Sequence, residues 1–217
     1  MDEYVIDAKE MDVKELNRTI KQHAISNDKL IIDNPESEHN ICAGLSEDVD
    51  IEINGSAGYF VGTMVNGPRI HITGNAGWFA GDNMTEGELI IEGTAGDGAG
   101  QGIYGGTVIV KGNTGSRTGG IMKGGTVIIG GNSGYMTGLL MMGGRLIILG
   151  DVTDDVGESI MRGTIFVLGD VKSLGKNAVM QETTPEDLNE LKEILTEYGF
   201  DLTDENYTSF KKIVNMQ

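Results

Sequence analysis

The sequence predicts an all-β solenoid: a right-handed parallel β-helix of about seven 19-residue coils, with small helical caps at both ends. Three observations carry this. First, glycine recurs at Gly55, Gly74, Gly93, Gly112, Gly131, Gly150 and Gly169, every gap being nineteen residues. Second, two aliphatic columns keep the same period. One is Ile51, Ile70, Leu89, Val108, Val127, Leu146 and Ile165; the other, two residues on, is Ile53, Ile72, Ile91, Val110, Ile129, Ile148 and Val167. Positions i and i+2 of a strand share one face, and most of these residues are β-branched, as strands favour. Third, short polar residues recur at Ser56, Asn75, Thr94, Asn113, Asn132, Asp151 and Asp170. Stacked at a corner, such side chains can hydrogen-bond to their own backbone and to the next coil.

The elements follow in chain order. Residues 1–29 read as an N-terminal cap holding a helix over 12–23, with Asp12 as N-cap, Glu15 three residues on, and an apolar stripe of Val13, Leu16 and Ile20. Residues 30–181 form the solenoid, and Leu30–Asp33, about one period before Ile51, form a first irregular coil. Within each coil, further glycines mark the corners, and the seven structural glycines of the first column are expected where the backbone turns sharply, often at positive φ. A third apolar column crosses the repeat at Val65, Met84, Ile103, Met122, Met141, Ile160 and Val179. Coils spaced by about 4.8 Å make a rod of about 34 Å. The right-handed sense follows from the strong bias of parallel crossovers. Residues 182–217 form an acidic tail with nine acids and three bases. Thr184-Pro185 opens a helix with Leu188, Leu191, Leu195 and Tyr198 on one face, and Gly199 ends it. A second short helix is expected to hold Tyr207, Phe210, Ile213 and Val214.

Between the two inward strand positions lies an outward one: Glu52, His71, Ile90, Ile109, Ile128, Ile147 and Phe166. It is polar for two coils and apolar for five. Such a stripe does not stay wet on a monomer. Ile90, Ile109, Ile128, Ile147 and Phe166 are therefore a candidate partner surface, unless the C-terminal helix covers them.

Composition limits the function. The net charge is −17, from 33 acids and 16 bases, which argues against nucleic acid and anionic membrane surfaces as partners. One cysteine, Cys42, excludes an internal disulfide and suits a reducing, cytoplasmic setting. No apolar run approaches the roughly 18 residues of a membrane span, and the N-terminus lacks the pattern of a secretory signal.

Chemistry is sparse. His23, His39 and His71 have no metal-ligand spacing. The polar column offers weak ligands, with carboxylates only at its end. GDGAGQG at 96–102 has the letters of a dinucleotide fingerprint but opens a coil, not a helix. Cys42, between Ile41 and Ala43, reads as a buried small hydrophobe. No residue is assigned a catalytic, cofactor-binding or metal-binding role.

The strings GSAGYFVG, GNAGWFAG, GTAGDGAG, GNTGSRTG and GNSGYMTG carry a resemblance. They repeat the GxxGxxxG pattern of the GXGXG domain, which is similar to the C-terminal right-handed β-helix of the glutamate synthase large subunit. EHNICAGL at 38–45 and SLGKNAV at 173–179 resemble the flanks of stand-alone subunits of glutamate synthase or N-methylglutamate synthase type. Thr153, Lys172 and Lys176 depart from the pattern by replacing glycines, so the corners there should differ. The resemblance implies a structural subunit of a complex that aminates a 2-oxo acid with ammonia from glutamine. An amidotransferase chain and a chain carrying FMN and iron–sulfur clusters would be the partners, with no cofactor on this chain; self-association is a further option. The β-helical subunit of formylmethanofuran dehydrogenase shares the repeats, which gives one alternative. An independent enzyme using a β-helix groove is another, although no cluster of acids or bases recurs to serve it.

Overall fold

Each aliphatic column of the sequence becomes a hydrogen-bonded ladder. The computed structural model describes residues 2–216. Its strands are β1 (Glu3–Asp7), β2 (Lys29–Asp33), β3 (Asp50–Asn54), β4 (Asn66–Ile72), β5 (Glu86–Ile91), β6 (Thr107–Val110), β7 (Thr126–Ile129), β8 (Met142–Ile148), β9 (Arg162–Val167), β10 (Ala178–Gln181) and β11 (Lys211–Asn215). From β1 to β9 neighbours pair in parallel and in sequence order. Ile51 faces Ile70, Ile70 faces Leu89, and the column continues to Ile165. The chain is thus a parallel β-solenoid of about seven turns with few helices.

The interior is aliphatic throughout. Ile53, Ile72, Ile91, Val110, Ile129, Ile148 and Val167 are completely buried, as is the cross-column of Val65, Met84, Ile103, Met122 and Met141. A second ladder of single bridges links Ala57, Ala76, Ala95 and Thr114. The polar column forms a side-chain ladder beside it. Asn75 Oδ1 accepts from Thr94 N–H, Asn113 Oδ1 from Asn132 N–H, and Asn132 Oδ1 from Asp151 N–H, each at 2.8 Å. These bonds satisfy backbone donors at corners where no strand pairing is available.

The seven structural glycines require a different explanation from the one expected. Of the seven, only Gly55 has positive φ. The others sit where two coils touch. A Cβ on Gly112 would lie 2.7 Å from the carbonyl oxygen of Gly93, and one on Gly74 would lie 2.6 Å from that of Gly55. Positive φ belongs instead to two other columns: Gly62, Gly81, Gly100, Gly119, Gly138 and Gly157, and Gly87, Gly106, Gly125, Gly144 and Gly163.

Both ends differ from expectation in detail. The helix α1 (Val13–Ala24) has Asp12 as its N-cap, accepting from Glu15 N–H at 2.8 Å, and buries Leu16, Ile20 and Ala24 over the end of the core. Ahead of it, β1 adds a further strand to the sheet. Leu30–Asp33 do lie in the coil preceding Ile51. At the far end the period slips. Val152 pairs with Val171 at nineteen residues, but Val156 pairs with Leu174 at eighteen. The buried residue there is therefore Ala178, whereas Val179, assigned to the third apolar column, is half-exposed.

In the tail, Thr184 caps α2 (Pro185–Glu197) in a reciprocal capping box with Asp187. The second helix, α3 (Asp204–Thr208), is shorter than expected. Ile213 and Val214 belong to β11, which runs antiparallel between β9 and β10. Tertiary pairing with two strand edges overrides the local helical spacing.

Candidate functional site

The outer face of the sheet divides into a covered and an open half. The column across it reads Val5, Ile31, Glu52, His71, Ile90, Ile109, Ile128, Ile147 and Phe166 in strict register. Ile109, Ile128, Ile147 and Phe166 are buried in one apolar cluster with Leu191 and Leu195 of α2, Tyr207 of α3, and Phe210. Ile90 is half-buried at the margin of this cluster. The assignment of Ile90, Ile109, Ile128, Ile147 and Phe166 as a partner surface is thereby corrected. The amphipathic tail of the same chain occupies it, pinned by β11, by an Arg145–Glu190 ion pair, and by Lys212 on Asp187 at 2.7 Å. Burial works against the Asp187 charge, but the Lys212 ammonium and the Thr184 N–H outweigh it and hold its carboxyl below the usual range.

The tail stops where the outward column turns polar. There the Lys111 ammonium donates to the Tyr198 carbonyl and lies 4.0 Å from the centroid of the Phe200 ring. The Tyr198 hydroxyl donates to Glu88 Oε1 at 3.0 Å; burial, then the Glu88 charge, pushes its pKa up. Beyond this border opens a cleft of about 500 Å³, lined by Lys29, Glu52, Arg69, His71, Glu92 and Tyr198 among others. Three ion pairs lie in or beside it. Lys29 Nζ meets Glu52 Oε2 at 2.7 Å, and His71 Nε2 lies 2.8 Å from Glu92 Oε1. Arg69 Nε lies 3.0 Å from Glu88 Oε2, an ion-pair distance without hydrogen-bond geometry. Among the described residues, no serine, threonine or cysteine lines the cleft. It offers hydrogen-bonding partners and paired charges, not a nucleophile with its base.

The remaining candidates are dispersed. The His23 ring stacks on Tyr4 at 3.6 Å, while His39 stacks on Tyr59 and accepts from its N–H at 2.9 Å through Nδ1. His71 alone reaches the cleft. Cys42 is buried, and desolvation pushes its thiol up to about 12, so it is not a thiolate at neutral pH. Residues 96–102 turn through the corner of a coil without opening a helix. Among the described residues, no three His, Cys, Asp or Glu converge as a metal site would need. Sequence reasoning missed one surface feature: Tyr59 stacks on Trp78 at 4.9 Å and Phe60 on Phe79 at 5.0 Å. Their spacing of nineteen was the available signal.

A stack of short parallel coils with like residues in columns, capped at one end by a helix and along one face by a folded-back tail, is a solenoid repeat protein. More particularly, the chain belongs to the GXGXG motif family, which it matches over residues 5–214. No curated protein matches it. No helix among the described residues is long and apolar enough to cross a membrane.

Proposed function

We propose that this chain is a non-catalytic structural subunit of a split glutamate-synthase-like complex, which aminates a 2-oxo acid with ammonia drawn from glutamine. Membership of the GXGXG family across residues 5–214 is the observation that supports this reading. The chemistry of the side chains agrees with it. Cys42 is buried as an un-ionised thiol, and a single cysteine cannot ligate an iron–sulfur cluster. The amidotransferase activity, the FMN and the clusters then belong to partner chains, in a cytoplasmic setting. The scaffold contributes a rigid rod whose columns fix distances between whatever docks along it.

Co-expression tests the proposal. Purified alone, the chain should neither hydrolyse glutamine nor bind flavin. Co-expressed with an amidotransferase chain and a flavin/iron–sulfur chain, it should co-purify with both, and the assembly should form glutamate from glutamine and 2-oxoglutarate. Turnover of glutamine by the isolated chain overturns the reading. So does assembly with molybdenum- or tungsten-containing subunits in place of those partners.

A further inference from the structure

The first strand of the sheet is an open edge with a defined charge pattern. Among the described residues β1 pairs only with β2. Lys29 N–H donates to Asp2 O at 3.2 Å and Ala8 N–H to Asp33 O at 2.8 Å, so the even-numbered residues face β2. Glu3, Val5 and Asp7 therefore turn their backbone N–H and C=O groups toward the open side. Their side chains are exposed, Val5 by 52%. The helix α1 covers the end of the interior, where Ile6 is buried, and leaves this edge bare.

The columns ending at this edge dictate what would continue them. In register across the sheet run Glu3, Lys29, Asp50, Arg69 and Glu88, alternating in sign at every strand. The next column, Val5 and Ile31, is apolar. The third sets Asp7 beside Asp33, with Asn34 and Asn54 amides donating to them. Opposite charges on directly facing strand positions attract and like charges repel. A second copy of this chain is a poor occupant: antiparallel pairing would set Glu3 against Asp7 of the other copy, and parallel pairing would set each acid against itself.

We propose that β1 is a docking edge for an extended segment of another protein of the form basic–x–aliphatic–x–basic. That segment adds a strand in which one basic residue faces Glu3, the aliphatic residue extends the Val5–Ile31 column, and the other basic residue faces Asp7. Main-chain hydrogen bonds to Glu3, Val5 and Asp7 hold it, and the charges select it. The inference goes beyond the proposed complex and does not depend on it.

The probe is a blocked peptide, Thr-Lys-Thr-Ile-Thr-Lys-Thr, whose pattern is satisfied in either strand direction. Binding is followed by NMR titration, with amide exchange at Glu3, Val5 and Asp7 as the site-specific readout. The expected result is slowed exchange at those amides and an affinity about tenfold above that of a scrambled peptide or one with glutamate for lysine. The double variant Glu3→Lys, Asp7→Lys should reverse the preference between the lysine and glutamate peptides. Val5→Pro removes an N–H that β2 does not use, so it should abolish binding at an unchanged melting temperature. The proposal is overturned if the peptide does not bind, or if the scrambled peptide binds equally well, which marks diffuse attraction to an acidic chain. Dimerisation of the chain through β1, lost in Val5→Pro, also overturns it.

Discussion

Replacing Ile128 by alanine tests whether the tail is part of the folded core. Ile128 lies between Ile109 and Ile147 on the outer face and is completely buried beneath the tail. The substitution removes three buried carbons, worth about 2.4 kcal/mol at roughly 0.8 per carbon. The gap beneath α2 cannot close without moving strands fixed on both sides, so a cavity contribution adds to this. The expected loss is about 3 kcal/mol, within the roughly 2–5 found for buried Ile or Leu to Ala. For a chain of this size that lowers Tm by roughly 6–12 °C. The matched control is Glu52→Ala, in the same column but on the uncovered half, where an ion pair a third exposed should contribute less than about 1 kcal/mol. Urea unfolding followed by circular dichroism measures both variants. A loss for Ile128→Ala no larger than the control would refute the covered-stripe assignment.

Two further outcomes follow from particular contacts. Gly112→Ala should destabilise by about 1–3 kcal/mol, because the methyl would lie 2.7 Å from the Gly93 carbonyl oxygen although φ is not positive; a melting temperature equal to wild type would defeat the argument. Asp187 has a folded pKa below its ordinary value of 3.8, so its contribution to stability is present above that value and is lost as pH falls through the folded pKa. Melting temperatures from pH 6 to about 2 should therefore fall more steeply for wild type than for Asp187→Asn, and parallel curves would remove the pair from the account.

The period of nineteen made the columns legible because each coil repeats one environment, so the sequence reports each position several times over. It could not report why a column is glycine. Lack of room and positive φ both favour glycine, but ordinary residues at positive φ, such as Phe60, Phe79 and Met136, show that the left-handed region alone does not demand it here. The slip to eighteen between Val171 and Leu174 was hidden for a related reason: Lys172 replaces one register glycine, and the other corner glycine, Gly175, comes one residue early, leaving Lys176 where the period of nineteen expects it. β1 and β11 lie outside the repeat altogether. Their pairing is set by edges that only the assembled sheet creates, and Lys211–Asn215 is too short for its pattern to declare a strand. The outward stripe was readable as something to be covered. Its occupant was not, since sequence periodicity describes a face and not what lies against it.

The position of β11 changes what the tail is. Strands β9 and β10 do not touch; β11 stands between them and bonds to both. A chain cut in the connection ahead of Lys211 would leave β9 and β10 two strand spacings apart, about 9.6 Å, beyond hydrogen-bonding reach of each other. It would thus gain two facing bare edges. Both are invitations to aggregate. The segment that looks like an appendage in the sequence is a keystone. Residues 182–216 cannot be trimmed to leave a tidier rod, and the mechanical integrity of one end of the solenoid depends on a strand that belongs to none of its coils.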